Sequence, residues 1–357
     1  MRKYLPVNEV YDIMLKVFAQ LGVPEEDAGI CADVLIASDL SGIESHGIGR
    51  LKMYYDRIKA GIQKPITRIE TVSDKAATAV WDGNHGMGQV IGHRAMLTAI
   101  AKAKEYGLGS VAVRNSTHYG ICGYYARMAI KDNMIGLTFS NARPSIAPLF
   151  GVTPLLGTNP ICFGAPTDLD FPFLYDAATS ISQRGKIEVL AREDKPTPYG
   201  WAIDREGKPH TETLKLLNDL TLGTASLLPV GGDSEISGGH KGYGLATLVE
   251  ILCSALQNGS YLEQLKGKEG EKQAPYRLGH FFMAIDIAAF INPAIFKQIT
   301  GDICRRLKSA AKIEGQETIF VAGEKEYLNE KRVRNEGVPI TEKLSRNLEA
   351  MLGYKID

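Results

Sequence analysis

RNSTHYG (Arg114–Gly120), TFSNARP (Thr138–Pro144) and LLGTNP (Leu155–Pro160) are three polar clusters, each following an apolar run. Ser110 to Val113 and Met134 to Phe139 are too apolar to be anything but core. Those runs are expected to be parallel-type strand ends or strand-to-loop turns. Their tips would gather one histidine, two asparagines, an arginine and several hydroxyls. Polar tips on a buried strand scaffold are where ligands bind. His118 is the expected acid/base. Arg143, held extended by Pro144, is expected to supply a guanidinium for a second carboxylate. The alternative is that Arg143 points to solvent or to a partner subunit.

The surrounding 357 residues are 44% hydrophobic and 23% charged, ordinary for a globular chain. Lys+Arg and Asp+Glu are 41 each, so the formal net charge is zero. That balance leaves no electrostatic footprint for nucleic acid or an anionic membrane. Met1–Pro6 lacks the apolar core of a secretory signal, and no run approaches the ~20 apolar residues of a membrane helix. The five cysteines are scattered, odd in number and without a C-x-x-C pair. The expectation is a reduced, cytoplasmic setting with buried thiols.

N-terminal to the central stretch, Val7, Val10, Met14, Phe18 and Leu21 share one helical face. Gly22 ends that helix. Pro24 opens a second, with Glu25, Glu26 and Asp27 in its first turn, running to about Leu40. In SGIESHGIGRLKMYY (41–55), Ser45 is a candidate N-cap of a third helix. His46, Arg50 and Tyr54 would then share one face; the alternative is a solvated face. Gly47 and Gly49 weaken such a helix and point to close approach by another group.

Ala76–Trp81 reads as a strand and Val90–Tyr106 as a helix, with Gly86, Gly88 and Gly92 between or just inside them. The spacing is G-x-G-x-x-x-G, and the next strand ends in Arg114–Asn115 where a ribose-binding acid would be needed. A dinucleotide fingerprint is therefore rejected. The glycines are assigned to a tight turn and close helix packing.

C-terminal to the central stretch, Ile161–Ala165 and Phe173–Asp176 read as strands, the second leading into DAATS. Tyr199–Glu212 reads as turns and a hairpin with His210 on the surface. GGHKGYGLA (238–246) opens a long apolar helix, and such a turn can present free N–H groups to an anion. The alternative is an ordinary glycine-rich loop. Tyr261–Arg277 reads as an exposed loop or short helix. Gly279–Phe290 reads as a buried strand carrying His280 and Asp286. A helix and IFVAGEKEY (319–327) precede a polar helical end.

No cluster has metal-ligand spacing, so no metal site is expected. The nucleophile motif G-x-S-x-G is absent. Histidines, arginines, asparagines and anion-binding glycines suit proton transfer on a small carboxylate beside a phosphate-bearing cofactor.

The sequence resembles the type-2 malate/L-lactate dehydrogenase family, which includes sulfolactate, ureidoglycolate and diketogulonate oxidoreductases. SGIESHGIGR (41–50), RNSTHYG (114–120), LLGTNP (155–160), YDAATS (175–180), GHKGYGL (239–245) and GHFFMAID (279–286) carry the resemblance. NARPSIAPLFG (141–151) is most similar to the malate dehydrogenase branch. The resemblance implies an α/β, mixed-sheet, non-Rossmann nucleotide-binding domain over 76–324, with a largely helical part about 185–275. It also implies a helical region, 1–75, packing with 325–357, and a homodimer.

An NAD- or NADP-dependent oxidoreductase interconverting a 2-hydroxy and a 2-oxo acid is implied, malate and oxaloacetate first. The implied site has His118 and His46 as catalytic groups. Ser45, Arg50, Tyr54, Asn141, Arg143, Thr158, Asn159 and Asp286 would meet the substrate, with Asp286 orienting an imidazole. Ser140, Asp176, Ala177, Ala178, Lys186, His240, Lys241, Gly242, Gly323, Glu324 and Lys325 would hold the cofactor. Two segments depart from the family pattern: Asp176-Ala177-Ala178 stands for D-M-A, and Ala322-Gly323-Glu324 for P-G-E. A non-catalytic ligand-binding relative is the rival reading from another class; an amidohydrolase ranks last, lacking a nucleophile or metal set.

Overall fold

The structure is a computed structural model and describes residues 2–356. Strand β1 (Arg2–Leu5) precedes helices α1 (Val7–Gln20), α2 (Glu25–Leu40) and α3 (Leu51–Lys59). Strands β2 (Glu70–Lys75) and β3 (Thr78–Asp82) lead to α4 (Gly88–Tyr106), β4 (Leu108–Ser116) and α5 (Cys122–Lys131). Strands β5 (Met134–Ser140), β6 (Ile161–Ala165) and β7 (Phe173–Ala177) follow. A segment containing α6 (Arg184–Arg192), α7 (Thr213–Leu222) and α8 (Gly239–Leu252) comes next. Within and after it lie two short ribbons, β8–β9 (Ala202–Ile203 with Ser226–Leu227) and β10–β11 (Lys268–Glu269 with Lys272–Gln273). Strand β12 (Leu278–Asp286), α9 (Pro293–Lys308), α10 (Glu324–Glu336), β13 (Val338–Thr341) and α11 (Glu342–Leu352) complete the order.

One seven-stranded sheet has the order β2-β3-β4-β12-β5-β6-β7. Only β3 and β4 pair parallel; the other neighbours are antiparallel. This is the mixed sheet expected from the family resemblance, and the polar clusters are strand-to-loop turns at its edge. The late strand β12 lies between β4 and β5 and runs against both, so β4 and β5 point the same way. Their C-terminal tips share one edge with the starts of β12 and β6. That edge carries the three polar clusters.

Successive side chains of a strand face opposite sides, and β12 uses this directly. Phe282 is fully buried with Ile91, Met96 and Tyr125 against α4 and α5. Phe281 packs on the other face with Phe139, Val249 and Cys253 of the α8 side. Truncating a buried phenylalanine of this kind costs ~3–5 kcal/mol. Gly88 lets α4 approach the sheet edge: a Cβ there would collide with the carbonyls of Thr117 and His118. This is the close helix packing expected of the glycine run.

The two chain ends share a core. Leu5, Met14, Phe18, Leu35, Leu51 and Tyr54 cluster with Val338, Ile340, Leu348 and Met351, and β1 pairs antiparallel with β13. His210, expected at the surface, is buried, its Nε2 3.0 Å from Asp219 Oδ2. No described helix is long and apolar enough to cross a membrane. Among the described residues no group of three or more His, Cys, Asp or Glu could hold a metal ion.

Candidate active site

Ser45 does not cap a helix: a 3-10 turn, Ile48–Arg50, precedes α3, which begins at Leu51. The buried Asp39 carboxylate takes the Ile48 N–H at 2.7 Å. A Cβ on Gly47 would collide with that same carboxylate. Asp39 is therefore the group whose approach the glycine permits, and it shapes the turn. Burial pushes its carboxyl up to about 8. In the turn, Ser45 Oγ lies 2.9 Å from His46 Nδ1, and Arg50 Nε donates to the Ser45 carbonyl at 2.8 Å.

His118 follows the end of β4. Its Nδ1 lies 2.6 Å from the Tyr54 hydroxyl and 3.3 Å from the Gly120 nitrogen. Burial raises the Tyr54 pKa well above that of a free phenol, so its hydroxyl stays protonated, and its oxygen accepts from Nδ1–H in the tautomer that leaves Nε2 free. With Nδ1 engaged, Nε2 is the nitrogen left for a ligand. His46 stacks on His118 with centroids 5.5 Å apart and planes at 25°. Burial first, then the neighbouring His46, Arg50 and Arg57, hold His118 well below the ordinary imidazole range. Burial, with Arg50, lowers His46 to about 4. Both rings are neutral at pH 7.

Behind His118 sits His280, which the sequence reading noted but left out of the site. Its Nδ1 meets Ser140 Oγ at 2.9 Å and its Nε2 meets Ser116 Oγ at 2.8 Å. The ring stacks on Tyr119 at 4.3 Å. It ties the tips of β4 and β5 together. Asp286, expected to orient an imidazole, is at the other end of β12, where it accepts from the Ala288 N–H at 3.0 Å. That end is the opposite edge of the sheet, so its assignment is corrected. A nine-residue strand separates the two ends by ~27 Å.

In front of His118 opens a cavity of about 260 Å³. Arg50, Arg57, Arg143 and Arg184 line it together with Thr158, Ser145 and Tyr276, and no lining residue is acidic. Arg184 is paired with Glu188 at 3.0 Å. Arg57 was missed in the sequence. It lies three residues after Tyr54 on α3, a spacing that places it on Tyr54's side of the helix. Its guanidinium sits 4.2 Å from the Tyr276 ring centroid.

Asn141 and Asn159 do not offer their amide groups to this cavity. Asn141 Nδ2 donates to the Cys253 and Ser260 carbonyls, and its Oδ1 accepts from Gly279 N at 2.7 Å. Asn159 Nδ2 donates to the Ala246 carbonyl at 2.9 Å and to Glu250 Oε2 at 2.8 Å. Both fasten α8 and the following turn to the sheet edge.

A narrower cleft of about 100 Å³ shares Thr158 with the cavity and is lined by His46, Gly120, Cys122, Asp176, Ala178 and Gln183. Asp176 accepts the Gly123 N–H at 2.6 Å, at the start of α5. Burial pushes its carboxyl up to about 6. Asn159 Oδ1 and Ser182 Oγ, each adjacent in sequence to a lining residue, are buried without a partner. Small side chains, an acid and unused polar atoms fit a flat, amide-bearing group such as nicotinamide.

The other expected cofactor residues are dispersed. Ser140 bonds His280 and the Asn141 carbonyl. Lys186 is exposed in the first turn of α6, and His240 and Lys241 are exposed in that of α8. Gly239 N and Lys241 N already donate to Ser234 and Gly238 carbonyls, so the turn uses part of its anion-binding capacity itself. Gly242 packs on Val230. Gly323 packs on β7, Glu324 pairs with Lys308 and accepts from Val321 N, and Lys325 lies over Phe320. Glu324 is thereby a structural tie.

Residues 5–349 match the family model described as malate/L-lactate dehydrogenase. Malate dehydrogenase of Pyrococcus horikoshii is 43% identical over 96% of this chain and 93% of its own. Malate/(S)-sulfolactate dehydrogenase of Methanothermus fervidus is 36% identical over 96% of this chain and 95% of its own. The crystal structure of malate dehydrogenase from Entamoeba histolytica superposes with a TM-score of 0.96 at 41% identity, covering 99% of this chain and 98% of that one.

Proposed function

The chain belongs to the malate/L-lactate dehydrogenase family, and from that premise we propose that it interconverts malate and oxaloacetate with NAD or NADP. The observation that carries the substrate is the cavity beside His118, lined by four arginines and no acid. A dianion compensates such a lining better than a monoanion does.

In this reading Arg50 clamps the C1 carboxylate. Ser45, His46 and Thr158 hydrogen-bond the functional carbon's substituents, and Arg143, exposed at the mouth, meets the distal end. His118 Nε2 takes the hydroxyl proton during oxidation and returns it during reduction. Its depressed affinity for protons suits the base role, and the substrate's negative charges stabilise the imidazolium that forms. This requires the ring's resting proton to be on Nδ1, where the Tyr54 hydroxyl accepts it before and after the transfer. Bound nicotinamide would supply the hydride acceptor. Asp176, Ala177 and Ala178 would hold it along the narrow cleft, while Lys186, His240 and Lys241 meet the cofactor phosphates.

The proposed assembly is a homodimer. Ile295, Ile299, Ile303 and Leu307 recur every fourth residue on α9 and are each about half exposed, an apolar stripe that a second copy would cover. The proposed location is the cytoplasm, on the basis of the scattered free thiols.

Mixing the protein with NADH or NADPH and either oxaloacetate or pyruvate, and following loss of the reduced-nicotinamide absorbance, tests the reading. Oxaloacetate should be preferred by at least ~10-fold in kcat/KM. Absence of turnover with every 2-oxo acid would instead favour the non-catalytic relative.

A further inference from the structure

Arg57 and Tyr276 line the cavity but have no part in the proton transfer. Arg57 is partly buried, one helical turn beyond the tyrosine that meets His118. Burial lowers its hold on its proton, and a guanidinium in that condition ordinarily has a carboxylate partner. None of the residues lining the cavity provides one. Arg57 instead lies 4.2 Å from the Tyr276 centroid. Tyr276 takes the face of the guanidinium with its ring and one N–H with its hydroxyl, which leaves the remaining N–H groups for a planar anion. Tyr276 is itself fixed: its ring occupies the space above Gly267, where a Cβ would collide with it. The Ser145 hydroxyl, in the same lining, is buried and unpartnered.

The other guanidiniums are differently placed. Arg184 has Glu188. Arg50 is held by the Ser45 carbonyl, beside the two stacked imidazoles. Arg143 is exposed. Among the described residues Arg57 is a pre-oriented cation inside the cavity with no carboxylate in the lining to meet it.

We infer that Arg57, set by Tyr276, holds the distal anionic group of the substrate inside the cavity and sets the preference for dianionic over monoanionic 2-oxo acids. Arg143 closes over the same group from the mouth. Arg57 is the specificity-determining residue and Tyr276 its positioning residue. The inference rests on the malate reading given above. It extends to any distal group with a planar or tetrahedral array of anionic oxygens, because a guanidinium edge accepts either.

The test is kcat/KM for oxaloacetate divided by kcat/KM for pyruvate, in wild type, Arg57→Leu, Tyr276→Leu and Tyr276→Phe, with the nicotinamide coenzyme saturating. Arg57→Leu should lower the ratio on the order of 100-fold, the range of a charged hydrogen bond left unmade. Tyr276→Leu should lower it ~10-fold, through the oxaloacetate KM more than kcat, because the cation remains but is no longer oriented. Tyr276→Phe keeps the ring and loses only the hydroxyl's bond to Arg57, so it should lower the ratio less than Tyr276→Leu does. Should Arg57→Leu fail to fold, the two Tyr276 variants decide. A wild type without dicarboxylate preference overturns the malate reading and this inference together. A wild-type preference that survives within threefold in Arg57→Leu, or in Tyr276→Leu where that variant decides, overturns this inference alone.

Discussion

Two sides of one sheet edge carry similar residues and use them differently. On the side of α3, His118, Arg50 and Arg57 face a cavity with hydrogen-bonding capacity left over. On the side of α8, the Asn141 side chain, the Asn159 Nδ2 group and Glu250 form a closed set, and only Asn159 Oδ1 is left over, toward the narrow cleft. Glu250 Oε2 accepts from Asn159 and its Oε1 from the Leu262 N–H at 2.9 Å. Both sides contain polar, buried side chains drawn from the same motifs. The difference is satisfaction: a buried group with partners holds a fold together, and one without them awaits a ligand.

The largest expected effect breaks the α3 side. His118→Ala should lower kcat by ~10²–10⁴-fold, the usual worth of acid/base catalysis, while calorimetry shows nicotinamide nucleotide affinity nearly intact. His46→Ala should retain more activity, because its ring stacks on His118 and bonds Ser45. If His46→Ala is the inactive variant and His118→Ala is not, the two roles exchange.

A smaller effect sharpens the contrast from the α8 side. Asn159→Ala removes a donor from the buried Glu250 carboxylate, leaving one oxygen without its partner. The cost should be ~1–3 kcal/mol, read as a drop of several degrees in the thermal midpoint. The oxaloacetate KM of the folded fraction should stay within ~twofold. A raised KM with unchanged stability would move Asn159 to the substrate side of the comparison.

Much of this was legible in the sequence where the cause is local. The α1 and α2 spans follow from periodicity and from the prolines before them. The assignment of the glycine run to close helix packing held, since Gly88 admits the Thr117 and His118 carbonyls. Long-range causes were not legible. No local signal places β12 between β4 and β5. The Ser45 cap failed because Asp39, six residues earlier, takes the Ile48 N–H. His210 looked exposed because its partner, Asp219, lies on the following helix. Arg57 was hidden on a polar helix face until Tyr276, more than two hundred residues away, gave it a setting. Asp286 and His280 both interrupt one apolar strand, and only the pairing register shows that the His280 end reaches the site.

The central claim, that His118 is a neutral base in the free enzyme and must take up a proton to act as an acid, is tested by the pH dependence of kcat/KM in both directions. Burial and the surrounding cations and imidazoles lower its proton affinity. Above that depressed value the ring is neutral, so malate oxidation already has its base, and its kcat/KM should be flat from about pH 6 to about pH 9. Oxaloacetate reduction needs the protonated ring, so its kcat/KM should fall about tenfold for each unit of rising pH across the same window. Profiles that both break near the ordinary imidazole value of about 6.5 would contradict the account.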